Sequence, residues 1–306
     1  MKLTEKILSR AFMKYQERID YSVILANDIT EYLTNEGLSC GLSRISYEVL
    51  AMQIIESMKR VKYFNAVSNR DIDTRRLDPQ DTIFDPVRAI LYLKDRNYDE
   101  ACWLTFLLVY TAENYQSNWN FLRQLYSGVD EKLTWEVASN NTQILPRLAD
   151  NLINSQNKPK FGNHAKFKTL RDIPRVLEDY INFVKVNGGH YNLFINNSLE
   201  DPKEHFRILF PVIRRNIHSF GRLSTFDYLS MLSKTDLVNV EADSCHIVGS
   251  TGPKDGAKLI FGSFSDKQLD SYAMGLADHL EIGYQEMEDA LCNWQKSPNV
   301  FYTYKG

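Results

Sequence analysis

The sequence predicts a mainly α-helical fold, a multi-helix globular bundle, and three observations support this prediction. Apolar residues recur at spacings of three and four over most of the chain, which is the period of one helix face. The ends of these segments carry residues that start or stop helices. The chain has 306 residues, 43% of them apolar, and this is enough to bury a substantial core.

Two strong helix patterns lie in the first half of the chain. In residues 43–64, Ser43 is suited to cap a helix and apolar residues from Ile45 to Met58 share one stripe. Residues 98–115 are apolar on nearly all sides, so we expect a central helix surrounded by others. Glu113 and Asn114 follow its apolar part, either as buried polar groups that contact a substrate or as a plain helix end.

Three further helices are predicted from their ends. The segment 117–128 stops at Gly128, as a helix with a glycine cap does. The segment 172–189 has Pro174 in its first turn and Gly188 beyond its end. The segment 266–283 starts at Asp266 and repeats the apolar stripe.

The rest of the chain gives weaker signals about its organisation. Only residues 71–86 and 246–250 hint at extended structure, and no internal repeat is visible. The polar stretch 154–163 is the best boundary, so we expect helical regions at 1–155 and 156–306, or one continuous domain.

Composition excludes several classes of protein. The longest candidate for a membrane span covers only ten residues from Ala101, which is too short to cross a bilayer. The charged start lacks a secretory pattern, so we expect a cytoplasmic protein with no membrane partner. The four cysteines are far apart and are expected to be reduced thiols. The six histidines show no metal-ligand spacing, so neither a metal nor a cofactor is predicted.

Common catalytic motifs are also missing from the sequence. The glycine-rich stretch 249–258 lacks the Gly-Lys-Ser/Thr ending that a phosphate-binding Walker loop needs. A Rossmann fingerprint needs alternating strands and helices, which a helical chain does not supply. No G-x-S-x-G nucleophile elbow occurs. Hydrolases of these kinds are therefore not expected.

The charge is uneven along the chain although the net charge is only -3. Residues 158–175 hold six Lys or Arg and a single acidic residue, Asp172. Such a tract either binds a polyanion or forms a solvated surface loop. For a polyanion, the expected phosphate contacts come from the central part of the tract: Asn163, His164, Lys166 and Lys168.

Arg222 lies at a glycine-containing helix start, close in sequence to several aromatic residues. Its guanidinium can bind phosphate in a fork while a ring such as Phe220 or Tyr228 stacks a nucleobase. The alternative is a surface cap above aromatic residues that only pack in the core.

The glycine-rich segment that follows combines titratable groups with a flexible backbone. Asp243 and His246 are three residues apart, close enough to share a site if the chain turns. Small residues let the backbone approach a ligand, and two lysines supply positive charge to its phosphates. The residues concerned are Gly249, Ser250, Gly252, Lys254 and Lys258.

This segment, "VGSTGPKDGAKLI", is similar to the hairpin of helix-hairpin-helix DNA-binding proteins, including base-excision glycosylases. The sequence has one more residue between the glycines than that hairpin, and another before the alanine. The residues that carry the likeness are Val248, Gly249, Gly252, Pro253, Lys254 and Ala257. The resemblance implies a DNA glycosylase-like fold, in which Asp266 or Asp270 would match the essential acid.

A closer resemblance is carried by four blocks in one order: "EACWLTFLLVYTAENYQSNWNFLRQLY", "FGNHAKFKTLRDIPRVLEDYINFV", "FGRLSTFDYLSML" and "DSCHIVGSTGPKDG". Together they resemble the bacteriophage α-glutamyl/putrescinyl thymine pyrophosphorylases, or amino acid:DNA transferases, over residues 40–265. That family implies an enzyme acting in the host cytoplasm on DNA that carries an activated hydroxymethyluracil. An amino acid or polyamine nitrogen displaces the base's phosphate or pyrophosphate.

The residues suit that chemistry. Arg222, Lys254 and Lys258 can stabilise a departing pyrophosphate. Asp243 or His246 can take the proton of the incoming ammonium group. A thymine flipped out of the duplex needs an aromatic surface, for which the candidates are Phe220, Tyr228 and Trp119.

Two other functions stay open at this stage. A non-catalytic nucleic-acid-binding module would use the same basic tract, but it would tolerate replacement of Asp243. A structural or partner-binding helical protein would show no salt-dependent affinity for DNA.

Overall fold

The computed structural model describes residues 15–38 and 41–304 and confirms the mainly α-helical fold. We number the α-helices of these residues as α1 (Tyr15–Asn35), α2 (Arg44–Ser68), α3 (Pro86–Leu93), α4 (Tyr98–Thr111), α5 (Asn120–Ser127), α6 (Trp135–Asn140), α7 (Ile144–Asn154), α8 (Ile173–Val186), α9 (Pro202–Asn216), α10 (Arg222–Lys234), α11 (Gly252–Phe261), α12 (Asp266–His279) and α13 (Tyr284–Trp294). Shorter turns are the 3₁₀ segments Thr74–Leu77, Asn163–Ala165 and Leu170–Asp172, and the π-helical segment Asn192–Asn196. These residues form no β-strand.

Contacts group the described residues into two compact units. The first unit contains the chain up to Phe64 together with Ala242–Tyr304, and the second contains Asn65–Glu241. Helices α7 and α8 pack against each other from either side of residue 155, where the sequence predicts a boundary between two regions or a continuous domain. A division into independently folding domains stays a prediction.

The second unit is built around α4, as its apolar sequence predicts. The Asn97 side chain caps the start of α4 by accepting a hydrogen bond from the Glu100 amide at 3.1 Å. Every residue from Glu100 to Thr111 is buried, and helices α3, α5, α6 and α10 pack around it. Because α4 is apolar on all sides, it is stable only when other helices cover it.

The predicted helix ends are confirmed in this unit. Helix α5 ends at Gly128, whose φ of +70° favours glycine. Helix α8 starts with Pro174 in its first turn and is followed by Gly188 at φ +80°. The stretch 71–86 hints at extended structure in the sequence but contains a 3₁₀ turn, because the Asp73 side chain accepts a hydrogen bond from the Arg75 amide.

The first unit contains α1, most of α2 and the three C-terminal helices. Helices α11 and α13 approach closely because Gly252 and Gly256 have no side chain. A Cβ on Gly256 would lie 2.9 Å from the Leu291 carbonyl carbon. Gly252 and Gly256 therefore allow the two helices to pack closely against each other.

Trp294 is fully buried in the same unit, and its indole nitrogen donates to the Ser46 carbonyl at 3.0 Å.

In residues 15–38 and 41–304, none of the helices combines the length and the hydropathy that a transmembrane span requires.

Candidate functional site

The basic tract lines a cavity of about 800 Å³ in the second unit. One wall comes from the loop after α4, including Asn114, Tyr115 and Gln116, and the other from residues between 158 and 171. Five of its lining residues carry positive charge, namely Lys158, Lys160, Lys166, Lys168 and Arg171. No Asp or Glu is among the described residues of the lining. The cavity is therefore suited to an anionic ligand of nucleotide size.

The basic loop is held against the end of α4 at a glycine. The Gly162 amide donates to the Thr111 carbonyl at 2.9 Å. A Cβ at this position would lie 2.6 Å from the Glu113 carbonyl oxygen, so only glycine fits without a shift. This contact satisfies one of the last carbonyls of α4, which has no partner within its own helix.

Asn114 holds the opposite wall in place. Its side-chain nitrogen donates to the Phe161 carbonyl at 3.0 Å, which joins the two walls. Its side-chain oxygen accepts from the backbone amides of Gln116 and Ser117 at 3.0 and 3.2 Å. Because Asn114 is buried and makes all three bonds, it is a structural residue of the cavity as well as part of its lining.

Lys168 is the buried cation of the cavity. Its Nζ donates to the Tyr110 carbonyl at 3.2 Å and lies 4.7 Å from the Tyr110 ring centroid and 5.3 Å from that of Phe220. Burial lowers the pKa of Lys168 to about 8, and the negative charge of Asp227 opposes this shift. A bound anion would stabilise the protonated form of Lys168, so the position of this side chain is suited to anion binding.

A second cavity of about 340 Å³ shares part of this lining. Asn114, Gln116, Lys158 and Lys160 line both cavities. The remaining residues of the smaller cavity are all polar and uncharged, namely Ser117, Asn120, Gln124 and Asn157. The two cavities therefore offer adjacent spaces, one strongly cationic and one rich in carboxamide groups.

The structure brings three of the predicted phosphate contacts together. Asn163, Lys166 and Lys168 line the larger cavity, although Lys166 is exposed and Lys168 is buried. The His164 side chain lies outside the described part of the structure. The cavity also contains three cations that were not predicted as individual contacts, namely Lys158, Lys160 and Arg171. The sequence indicates them only through the positive charge of the whole tract.

The predicted stacking residues differ in their exposure. Phe220 and Tyr228 are buried in an aromatic core, and the Tyr228 hydroxyl is 2.8 Å from that of Tyr180. Trp119 is partly exposed at the start of α5. Tyr115, which the sequence analysis does not single out, is 60% exposed and lines the larger cavity.

Arg222 is the first residue of α10, and its guanidinium lies 5.7 Å from the Phe226 ring centroid. It belongs to the second unit, whereas Asp243 and His246 belong to the first. A single catalytic group made of all three residues stays a prediction.

Asp243 and His246 form a hydrogen-bonded pair, with His246 Nε2 2.9 Å from the Asp243 carboxylate. The pair lies on a turn in which His246 has a φ of +48°, an uncommon backbone angle for a residue with a side chain. Asp270 supports the turn by accepting a hydrogen bond from the Ile247 amide at 2.9 Å. Burial raises the pKa of Asp270, and the hydrogen bond from Ile247 opposes this shift.

The glycine-rich segment continues from this turn into α11. Gly249 has a φ of +74° and is exposed, with open space around it. The Ser250 hydroxyl donates to the Ile247 carbonyl at 2.8 Å and accepts from the Lys254 amide at 3.2 Å. Lys254 lies 3.5 Å from the Asp266 carboxylate, and Lys258 is exposed. The phosphate-binding roles of these residues stay predictions.

A hydrogen-bonded polar chain in the second unit, which runs from half-exposed Asp99 to the buried residues His190 and Tyr180, was not predicted from the sequence. The Asp99 carboxylate is 2.7 Å from His190 Nδ1, and His190 Nε2 is 2.9 Å from the Tyr180 hydroxyl. Burial lowers the pKa of His190, while the hydrogen bond to His190 lowers the pKa of Asp99. These residues are far apart in sequence, so no local pattern predicts their contact.

The described residues therefore form a helical protein with a cavity lined by five cationic side chains. A sequence profile of the alpha-glutamyl/putrescinyl thymine pyrophosphorylase family, clade 3, matches residues 45–306. The chain belongs to this family, whose name points to an enzyme that acts on modified thymine. Comparison with curated proteins and with solved structures finds no match.

Proposed function

We propose that this protein is a DNA-base-modifying transferase. Its substrate is DNA with a 5-hydroxymethyluracil that carries phosphate or pyrophosphate on its exocyclic oxygen. A neutral amine of an amino acid or polyamine attacks the exocyclic carbon and forms a carbon–nitrogen bond. The carbon–oxygen bond breaks, and the phosphate or pyrophosphate leaves with the electron pair.

The observation that carries this proposal is the cation-lined cavity in a member of a thymine pyrophosphorylase family. A departing pyrophosphate gains negative charge in the transition state. Cations held in place around it stabilise this charge and lower the activation barrier. Lys168 is held by the Tyr110 carbonyl and is pre-positioned for this role, with Lys166 and Arg171 at the more exposed part of the lining. Tyr115 supplies an exposed ring on which the flipped thymine can stack.

The proton of the incoming ammonium goes to the Asp243–His246 pair in this proposal. The pair has the right chemistry, because an imidazole nitrogen can accept a proton and the Asp243 carboxylate, 2.9 Å from His246 Nε2, orients the ring. Arg222, Lys254 and Lys258 are proposed to contact phosphates of the DNA or of the leaving group.

The proposal is tested with purified protein, DNA containing pyrophosphorylated hydroxymethyluracil, and a pool of amino acids and polyamines. The DNA is digested and its nucleosides are weighed by mass spectrometry. We expect a nucleoside in which an amine has replaced the pyrophosphate, and loss of this product in Asp243→Asn and Lys168→Met. Lys267→Met, on the exposed surface of α12, is the matched control and should keep full activity.

Two results would count against the proposal. If the protein binds the activated DNA but leaves the base unchanged, it is a non-catalytic binding protein. If Asp243→Asn and Lys168→Met form product as fast as the unmodified chain, the reaction takes place at another site.

A further inference from the structure

The basic tract presents an aromatic ring at the edge of the larger cavity. Phe167 is 66% exposed and is not part of the lining, whereas its chain neighbours Lys166 and Lys168 both line the cavity. We infer that the Phe167 ring enters the DNA base stack and fills the space that the activated base leaves when it turns out of the duplex. This inference rests on the proposed function and assigns a positioning residue to that site.

The turn that carries Phe167 is anchored on both sides. Before it, Ala165 is buried, and its amide donates to the Gly162 carbonyl at 3.0 Å, next to the end of α4. After it, Lys168 is buried, and its Nζ donates to the Tyr110 carbonyl of α4. The Lys168 amide closes the turn by donating to the Ala165 carbonyl at 2.9 Å. The ring therefore has a fixed support, and little conformational freedom of the turn is lost when DNA binds.

The fold itself gains little from this ring. Most of the Phe167 side chain stays in water, so its burial contributes little to stability. Single exposed hydrophobic residues are common on protein surfaces. Phe167 differs from such residues because it lies between two cavity-lining cations on an anchored turn.

The charge around the ring is suited to DNA. Lys160 and Lys166 are exposed residues of the cavity lining, and none of its described residues is Asp or Glu. Exposed lysines that bind phosphates fix the position of a duplex on the protein surface. Proteins that enter a base stack combine such cations with an apolar side chain, and phenylalanine is one of the residues they use. The surroundings of Phe167 therefore favour a DNA backbone beside the ring.

An inserted ring offsets part of the cost of base flipping. A base that leaves a duplex loses its pairing and stacking contacts, and this cost is smallest for a mismatched or single-stranded base. The Phe167 ring would replace stacking contacts for the bases that stay behind. Tyr115 is proposed to stack the flipped base, so the two exposed rings act on different parts of the DNA. The contribution of Phe167 should therefore be large for a paired base and small for an unpaired one.

The first test compares paired and unpaired substrates. Amine transfer is measured with the activated base in a perfect duplex, opposite a mismatched base, and in a single strand. We expect Phe167→Ala to lower kcat/KM about tenfold for the perfect duplex, since stacking on one aromatic ring is lost. The loss should be smaller for the mismatched duplex and smallest for the single strand.

Two control variants accompany this comparison. Phe167→Leu keeps an apolar side chain that can enter the stack, so it should retain most of the activity on the perfect duplex. Tyr191→Ala removes a ring that is 57% exposed in the same unit but lies outside the basic tract. It should leave kcat/KM unchanged on all three substrates.

The second test does not depend on amine transfer. The fluorescent base 2-aminopurine is placed opposite the activated base, and its fluorescence rises when it loses pairing and stacking. Saturating the duplex with unmodified protein in the absence of an amine should raise this fluorescence. Phe167→Ala at saturation should give a smaller rise, whereas Tyr191→Ala should give the full rise.

The outcomes separate this inference from the proposed function. An equal loss of kcat/KM for Phe167→Ala on all three substrates, or full activity on the perfect duplex, overturns the inserted ring. Amine transfer without any rise in fluorescence also overturns it and retains the transferase. If fluorescence rises in a way that depends on Phe167 but no amine is transferred, the proposed function fails and the inserted ring is supported.

Discussion

The burial of the Lys168 ammonium group lowers the stability of the fold. The side chain is buried among Tyr110 and Phe220, and burial lowers its pKa to about 8. An apolar residue of similar length would fill the same space without a desolvation penalty. We therefore propose that an anion bound in the larger cavity pairs with Lys168.

Lys168→Met should weaken the binding of a divalent anion, and sulfate is a suitable probe because it does not titrate near neutral pH. In the unmodified protein, affinity should fall as pH rises through about 8, because Lys168 loses its charge there. The variant should bind more weakly below pH 8 and lose this pH dependence. Calorimetric titration between pH 7 and 9.5 measures both effects, and equal pH profiles would contradict the assignment.

The same substitution should stabilise the protein in the absence of a ligand. Lys168 has its pKa lowered from 10.5 to about 8, so between these values the unfolded state binds more protons than the folded state. Stability therefore rises with pH across this window, and the penalty is fully present below pH 8. We expect Lys168→Met to gain about 2 kcal/mol at pH 7, since the lost hydrogen bond offsets part of the penalty.

Urea denaturation at pH 7 and at pH 9.5 measures this gain. The difference between the variant and the unmodified chain should shrink at the higher pH, because Lys168 is then neutral in the folded state and no charge has to be buried. Lys267→Met should leave the free energy of unfolding unchanged at either pH. A variant less stable than the unmodified chain at pH 7 would show that Lys168 supports the fold.

At the scale of elements, the glycine-rich segment owes part of its composition to helix packing. Gly256→Ala would place a Cβ 2.9 Å from the Leu291 carbonyl carbon and force α11 away from α13. We expect a loss of about 2 kcal/mol in the free energy of unfolding, typical of overpacking in a close helix contact. Lys258→Ala, on the exposed face of α11, should cost less than about 0.5 kcal/mol.

Thermal or urea denaturation of both variants checks this expectation. If Gly256→Ala is as stable as the unmodified chain but loses anion binding, the glycine serves a ligand and not the helix contact.

The helices could be predicted because their signals are local. Pro174 and Gly188 delimit α8 within one short segment, and Gly128 ends α5 where the sequence predicts. The cavity could be predicted only in part. The charge of the basic tract is visible in the sequence, but its pairing with Asn114 depends on a contact over 47 residues, for which no local pattern exists.

The burial or exposure of the candidate site residues also depends on contacts that a single segment does not reveal. Phe220 and Tyr228 have the right chemistry for stacking, yet their burial depends on packing around α4 that a single segment does not reveal. Tyr115 is exposed because it lies in the tight loop that Asn114 stabilises. Spacing indicated the Asp243–His246 contact because both residues lie on one turn.

At the scale of the whole molecule, the uneven charge suggests that DNA is contacted through a limited surface. The net charge is -3, so a general attraction to DNA is not expected. Lys166 is exposed in the basic tract and is proposed to contact a DNA phosphate. Lys166→Ala should reduce the slope of log affinity against log salt concentration by about 0.9, as the loss of one phosphate contact does.

Fluorescence anisotropy with labelled DNA at several salt concentrations measures this slope. Lys267→Ala removes an equal charge outside the tract and should leave the slope unchanged. Equal slopes for Lys166→Ala and the unmodified chain would place the DNA contact elsewhere.

The most direct test of the proposed transferase is a single-turnover reaction with pyrophosphorylated DNA and a pool of amino acids and polyamines, in which released pyrophosphate and modified nucleoside are quantified together. We expect both to appear at one rate and in equal amounts, and neither to form quickly without an amine. Pyrophosphate release at full rate without a new carbon–nitrogen bond would show a hydrolase. DNA binding with neither product would contradict the proposed enzyme.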